Sequence, residues 1–173
     1  MKNALTSLLI ALALTLSTRA ADVSTKISDV HLCCQSCVKG VHKAVDGIKG
    51  LTATVDDDAE TVTLTGADAA TVQKGADALV AAGYFGKSSD ANIKLTADTG
   101  AKGAKVQTLK LEGVHLCCGK CVSAVDKAVK SVPGVKEHTA KKNAATFEVT
   151  GDFNDREVFD ALQKAGLTGK VAK

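Results

Sequence analysis

Tryptophan is absent from this chain of 173 residues, and tyrosine, proline and methionine occur once each. With four phenylalanines, aromatics make up only 3% of the chain, too few to tile a sheet with stacking platforms for nucleic-acid bases. A dominant charge is missing as well. The 22 Lys and Arg face 19 Asp and Glu, and two of the basic residues, Lys2 and Arg19, fall in an N-terminal leader. The chain beyond it is close to neutral and lacks the cationic surface that holds a polyanion. No nucleic-acid partner is expected. With so few aromatics and abundant Ala, Val and Gly, the core must be small and aliphatic.

The leader supplies the one long apolar run. Lys2 gives a positive start, Ala4 to Leu16 is mostly apolar, and Thr18, Arg19 and Ala20 end in the small residues that a signal peptidase inspects. At about 13 residues the run falls short of the roughly 20 needed to cross a bilayer. Residues 1–20 are therefore expected to be a cleaved signal peptide, and the mature chain to be periplasmic or secreted, without membrane insertion. No Cys follows the cleavage point to carry a lipid.

An internal repeat organises the rest. Setting His31-Leu32-Cys33-Cys34 over His115-Leu116-Cys117-Cys118 also aligns Cys37 with Cys121, Val41 with Val125, Val45 with Val129 and Gly50 with Gly134. Near the ends of the units, Ala82-Gly83 answers Ala165-Gly166. Two modules are expected, residues 22–90 and 107–173. The unmatched stretch 91–106, with Gly100, Gly103 and scattered Lys, Asp and Thr, reads as a linker.

Within each unit the periodicity switches in a fixed order. Leu109 and Leu111 alternate as in a half-buried strand, with Ile27 the counterpart of Leu111. Val38, Val41, Val45 and Ile48, like Val122, Val125, Val129 and Val132, lay an apolar stripe along a helix that begins at the last Cys and stops at Gly50 or Pro133-Gly134. Ala53 and Val55 suit a second strand; Val62 and Leu64, or Phe147 and Val149, suit a third. A second helix from near Asp68 to Ala82, or Asn154 to Ala165, and a short closing strand complete the unit. The fold class is α+β, two tandem ferredoxin-like β-α-β-β-α-β sandwiches.

All six cysteines fall in two clusters, Cys33, Cys34, Cys37 and Cys117, Cys118, Cys121. In each, a Cys-x-x-Cys spans a strand-to-helix loop, so its second thiol lies on the first helical turn, where free amides and the helix dipole favour a thiolate. Thiolates are soft ligands that select copper(I), zinc, cadmium or mercury over magnesium and calcium. Asp56, Asp57 and Asp58 lack the spaced ligand set of a calcium loop and read as a solvated turn.

These residues resemble the heavy-metal-associated domain family of copper chaperones, of the periplasmic mercury-binding protein and of modules on metal-pumping ATPases. The Val132-Pro133-Gly134-Val135 turn and Ala82-Gly83-Tyr84 share in the resemblance. The family's site reads Met-x-Cys-x-x-Cys. By position, the resemblance implies ligand pairs Cys34 with Cys37 and Cys118 with Cys121, and places Leu32 and Leu116 where the buried Met would be. It also implies a non-enzymatic carrier, scavenger or chaperone, whose partners are metal ions and a membrane metal transporter or other metal-accepting protein. This sequence departs from the pattern in a third thiol per cluster, Cys33 or Cys117, in a loop two residues longer after Gly113, and in having Tyr84 in one copy but Leu167 in the other near the metal.

Two other readings of the thiols exist. An oxidising compartment encourages a disulfide-stabilised partner-binding module, but adjacent cysteines bond only with strain, which leaves Cys33 and Cys117 without easy partners. A thiol-disulfide oxidoreductase would use Cys34 or Cys37 as nucleophile. A thioredoxin-like unit would place a proline opposite its motif, and the sole proline, Pro133, lies in a turn of the second copy. His31 and His115 recur together, and the surface or loop reading is preferred for them over a ligand role; His42 and His138, which lack repeat partners, are expected at the surface.

Overall fold

The computed structural model describes residues 22–173; the expected signal peptide lies outside the described residues. Strand β1 (Val23–Ser28), helix α1 (Gln35–Val45), strands β2 (Leu51–Asp56) and β3 (Thr61–Gly66), helix α2 (Ala69–Ala81) and strand β4 (Lys87–Ser88) make the first half. The second half repeats the order with β5 (Lys105–Glu112), α3 (Gly119–Lys130), β6 (Val135–His138), β7 (Thr146–Asn154), α4 (Asp155–Lys164) and β8 (Lys170–Val171). Each half has one four-stranded antiparallel sheet, ordered β2-β3-β1-β4 and β6-β7-β5-β8.

The alternation read from the sequence selects the inward faces. Ile27, Val62 and Leu64 in the first sheet, and Leu109, Leu111, Phe147 and Val149 in the second, are buried. The helices lay their stripes over them: Val41 and Val45 of α1, Val72, Ala76 and Leu79 of α2, Val125 and Val129 of α3, and Val158, Phe159 and Leu162 of α4. Asp68 caps α2 by accepting from the Thr71 amide at 2.7 Å, and Asn154 caps α4 by accepting from that of Arg156 at 3.0 Å. These caps satisfy amides that the first turn leaves free.

Helices α1 and α3 depart from the expected limits at both ends. Each starts two residues before its last Cys, with Cys34 and Cys118 as the extended N-cap residues. Helix α1 stops at Val45, because the chain turns through Gly47 at a φ of 82°. Ile48 therefore packs on the core from a turn instead of from the helix.

The chain between β4 and β5 has no helix, and Ile93 within it is buried. Its later part is pinned to the second half: the amides of Lys102 and Ala104 donate to the Asp155 carboxylate at 2.9 Å each, and the Thr99 carbonyl accepts from Val171.

The two halves meet through the turns that follow α2 and α4. The Gly166 carbonyl accepts from the amides of His31 and Phe85, and the Gly83 carbonyl accepts from that of Thr168 at 2.9 Å. Between these bonds Tyr84 and Leu167 pair as an antiparallel bridge. Both glycines are required there. Each has positive φ, 86° at Gly83 and 75° at Gly166, and a Cβ on either would strike the backbone of the opposite half, at Gly113 and His115 or at Asp29 and His31. This seam brings the loop before α1 face to face with the loop before α3.

Candidate metal centre

In both loops the alternation of burial outlasts the strand. Val30 and Leu32 are buried, as are Val114 and Leu116, while His31, Cys33, His115 and Cys117 between them are half-buried and turn the other way. Leu32 and Leu116 thus lie beneath their loops, where the resemblance places them. The N-cap residues Cys34 and Cys118 follow, and Cys37 and Cys121, on the first turns of α1 and α3, are fully buried.

The seam turns two motifs into one group of sulfurs. Within the first motif, Cys33 and Cys37 are 3.6 Å apart and Cys34 and Cys37 3.9 Å; within the second, Cys117 and Cys121 are 3.7 Å apart and Cys118 and Cys121 3.6 Å. Distances between the halves are equally short: 3.3 Å for Cys33 to Cys118, 3.5 Å for Cys37 to Cys117, 3.6 Å for Cys33 to Cys121 and 3.9 Å for Cys37 to Cys121. All six are free thiols. The expectation that Cys33 and Cys117 lack partners is therefore corrected, because their nearest sulfurs come from the other half.

Packed this closely, the thiols cannot ionise independently, since each negative charge opposes the next. Cys37 is the favoured thiolate: a hydrogen bond from the Cys121 thiol lowers it most, outweighing burial, with help from His115, the Cys33 backbone and Cys117. Cys121, the donor, is pushed up correspondingly, and Cys33 is raised by burial and by its bond with Cys118. Burial also pushes Cys117 up, to about 12. At Cys118 burial opposes ionisation, but bonds from the Cys121 amide, the Cys33 and Cys121 thiols and the Lys120 amide prevail and bring it down to about 6.

His31 and His115 lie in loops, as expected, but are half-buried and not at the open surface. The Tyr84 hydroxyl donates to the Cys37 carbonyl at 2.8 Å and lies 3.1 Å from His115 Nε2, with the two rings 4.5 Å apart. Because the phenol proton goes to the carbonyl, Nε2 must carry the proton of that second bond. Burial, then charge at Cys37, pushes the Tyr84 phenol up, so it remains a donor. His31 Nε2 is buried without a hydrogen-bond partner, and burial lowers its basicity. Their surroundings are not readable from the sequence, because the neighbours of each imidazole include residues across the seam. Their shared position in the repeat was the available signal.

His138 also differs from expectation. Its side chain is only 9% exposed and its Nε2 lies 2.9 Å from Asp126, which ties β6 to α3. His42 is exposed as expected.

Three overlapping donor sets result. Cys37, His115, Cys117 and Cys121 form one, His31, Cys33 and Cys121 a second, and Cys33, Cys34 and Cys118 a third; within each set all ligand atoms lie within 4.8 Å of one another. A solvent-open cleft is lined by His31, Cys33, Cys34, Cys118 and Lys120, and so exposes all members of the third set. Sulfur and imidazole donors in such sets are a site for soft cations.

Residues 108–168 match the heavy-metal-associated domain family. Copper-transporting ATPase 2 of Rhizobium meliloti (strain 1021) is 31% identical over 128 residues, 74% of this chain and 13% of that protein, so the chain spans a small part of this curated relative. Among solved structures, the N-terminal domain of PacS from Synechocystis PCC6803 is 26% identical over 39% of this chain and all of its own, with a TM-score of 0.36. The N-terminal soluble domains of Bacillus subtilis CopA are 15% identical over 88% of this chain and 95% of theirs, with a TM-score of 0.34. Residues 108–168, which carry Cys117, Cys118 and Cys121 at the start of α3, are a heavy-metal-associated domain.

Proposed function

We propose that the protein captures or ferries soft heavy-metal ions outside the cytoplasm and performs no catalysis. The convergence of six free thiols, three of which line a solvent-open cleft, carries this reading. Copper(I), zinc, cadmium and mercury are the candidate cargoes. The matched relative is a copper-transporting ATPase, which puts copper(I) first. The ligands are Cys34, Cys37, Cys118 and Cys121, joined by Cys33 and Cys117. Residues 22–90 act as a second copy of the heavy-metal-associated domain, supported by the aligned cysteines and the shared element order, with 91–106 as the connection and 107–173 as the unit that contains the matched residues.

Export rests on the leader-like residues 1–20. An exported carrier needs an acceptor, and a membrane metal transporter or other metal-accepting protein fills that role. Calorimetric titration of the reduced protein with copper(I), zinc and mercury tests the reading. The quadruple variant Cys34→Ser, Cys37→Ser, Cys118→Ser, Cys121→Ser is expected to lose tight binding; unchanged stoichiometry in that variant overturns the assignment.

A further inference from the structure

If each half carried its own two-thiol site, the sulfurs would segregate by half. They do not: Cys33 is closer to Cys118 than to Cys37, and Cys37 is closer to Cys117 than to Cys34. The donor sets share members too. Cys33 belongs to two of them and so does Cys121. A thiolate sulfur has lone pairs enough to join two soft cations, whereas an imidazole nitrogen has one.

The nitrogens complete the pattern. His31 Nε2 is buried with no partner, and a buried polar atom left unpaired costs stability. A ring nitrogen of His31 lies within reach of Cys33 and Cys121, the two shared sulfurs. His115, held through Nε2 by Tyr84, stands in the set that contains Cys37, Cys117 and Cys121.

Resting on the metal-binding reading above, we propose that the two halves hold one shared cluster of at least three soft cations, bridged by the sulfurs of Cys33 and Cys121 and capped by His31 and His115. Each ligating thiol releases its proton to solvent and gives an electron pair to a cation; no electrons change hands. In the first motif the bridge is the third thiol, Cys33; in the second it is Cys121, and the third thiol there, Cys117, adds a ligand to a single donor set. Loading is cooperative, because the first ion displaces the proton of a bridging sulfur that the next ion also uses.

The mature full-length chain, reduced and kept anaerobic, is titrated with copper(I) and followed by native mass spectrometry. The expected spectrum at limiting copper contains mostly metal-free chain and chain with three or more ions. Saturation at two ions or fewer, or a statistical ladder through singly and doubly loaded forms, overturns the cluster and leaves the metal-binding reading intact; absence of any uptake sinks both. Cys33→Ser retains Cys34 and Cys37 and is expected to hold at most two ions. Wild-type capacity in that variant removes Cys33 as a bridge and overturns the proposal. On the unmodified protein, X-ray absorption at the copper edge is expected to show copper–copper scattering, and its absence overturns the shared cluster without reliance on a variant.

Discussion

The Sγ of Cys33 lies 3.3 Å from the Sγ of Cys118, 85 positions further along the chain. No sulfur pair within a motif is that close. Mild oxidation of the metal-free protein with diamide should therefore link the halves: the two thiols give up two protons and two electrons to the diamide, and a Cys33–Cys118 bond forms. Peptide mapping by mass spectrometry should find this crosslink, and loading with copper(I) beforehand should suppress it. Links confined to Cys34–Cys37 and Cys118–Cys121 would contradict the arrangement of the seam.

Neighbouring thiols in the second motif should differ sharply in reactivity. The attacking species in alkylation is the thiolate. Cys118 is lowered to about 6, whereas burial raises Cys117 to about 12. In the reduced, metal-free chain, alkylation of Cys118 by iodoacetamide is expected to rise through about pH 6 and level off by neutrality, well below an ordinary thiol at roughly 8.5. Cys117 should remain unmodified across that range. Equal rates at both positions, read by mass spectrometry of the digested protein, would show that the hydrogen bonds around Cys118 do not control its ionisation.

Much of the fold was legible because local rules and tertiary packing agree. The three-and-four spacing of Val41, Val45, Val125 and Val129 marked the helices, and the alternation of Leu109 and Leu111 marked a strand whose inward face those helices cover. The helix limits were less legible, since Gly47 turns the chain before Gly50 is reached. The thiols of each motif were found from spacing. Whether the two clusters stand apart or close on one another was open from the sequence, because their gathering depends on Gly83 and Gly166 allowing close approach between distant segments, and no periodicity encodes that contact. The surroundings of His31 and His115 were not legible for the same reason: their neighbours include residues of the opposite half.

The seam can be broken without touching a sulfur. Gly166 has a φ of 75°, and a Cβ on it would strike the backbone of Asp29 and His31. Gly166→Ala should destabilise the protein by about 1–3 kcal/mol, the usual cost of a strained backbone position, and should weaken the Cys33–Cys118 crosslink more than any link within a motif. Gly113, where a Cβ has nothing within 4 Å, provides a comparison, since its φ of 76° makes alanine strained there without a clash. A Gly166→Ala protein that matches Gly113→Ala in both thermal melting and crosslinking would argue against a tightly joined seam.

Tyr84 couples the first helix to the second motif through a single hydroxyl. Tyr84→Phe keeps the buried ring but removes the bonds to the Cys37 carbonyl and to His115 Nε2. A loss of about 1 kcal/mol is expected from denaturant titration, the ordinary net worth of a hydrogen bond. The imidazole should also lose its fixed tautomer, which carbon and nitrogen shifts of His115 would register. Unaltered shifts would mean that the phenol does not set the state of the ring.

Acid should unpin the connection between the halves. The Asp155 side chain is buried, and its carboxylate accepts from the amides of Lys102 and Ala104 at 2.9 Å. Burial alone would raise its pKa, but these amides, with those of Gly103 and Arg156, outweigh burial and hold it below the ordinary carboxylate value. An unfolded Asp titrates near about 3.9. Since the folded group titrates lower, its contribution is complete above that value and disappears as pH falls through the folded pKa. Asp155→Asn is expected to lower stability at neutral pH by about 1.5–3 kcal/mol, the range for hydrogen bonds to a charged group. The gap from wild type should narrow steadily below about pH 4 as the wild-type carboxylate takes up its proton. Thermal melts of both proteins between neutrality and strong acid measure that gap, and curves that stay parallel would show that the Asp155 charge does not hold residues 102–104 in place.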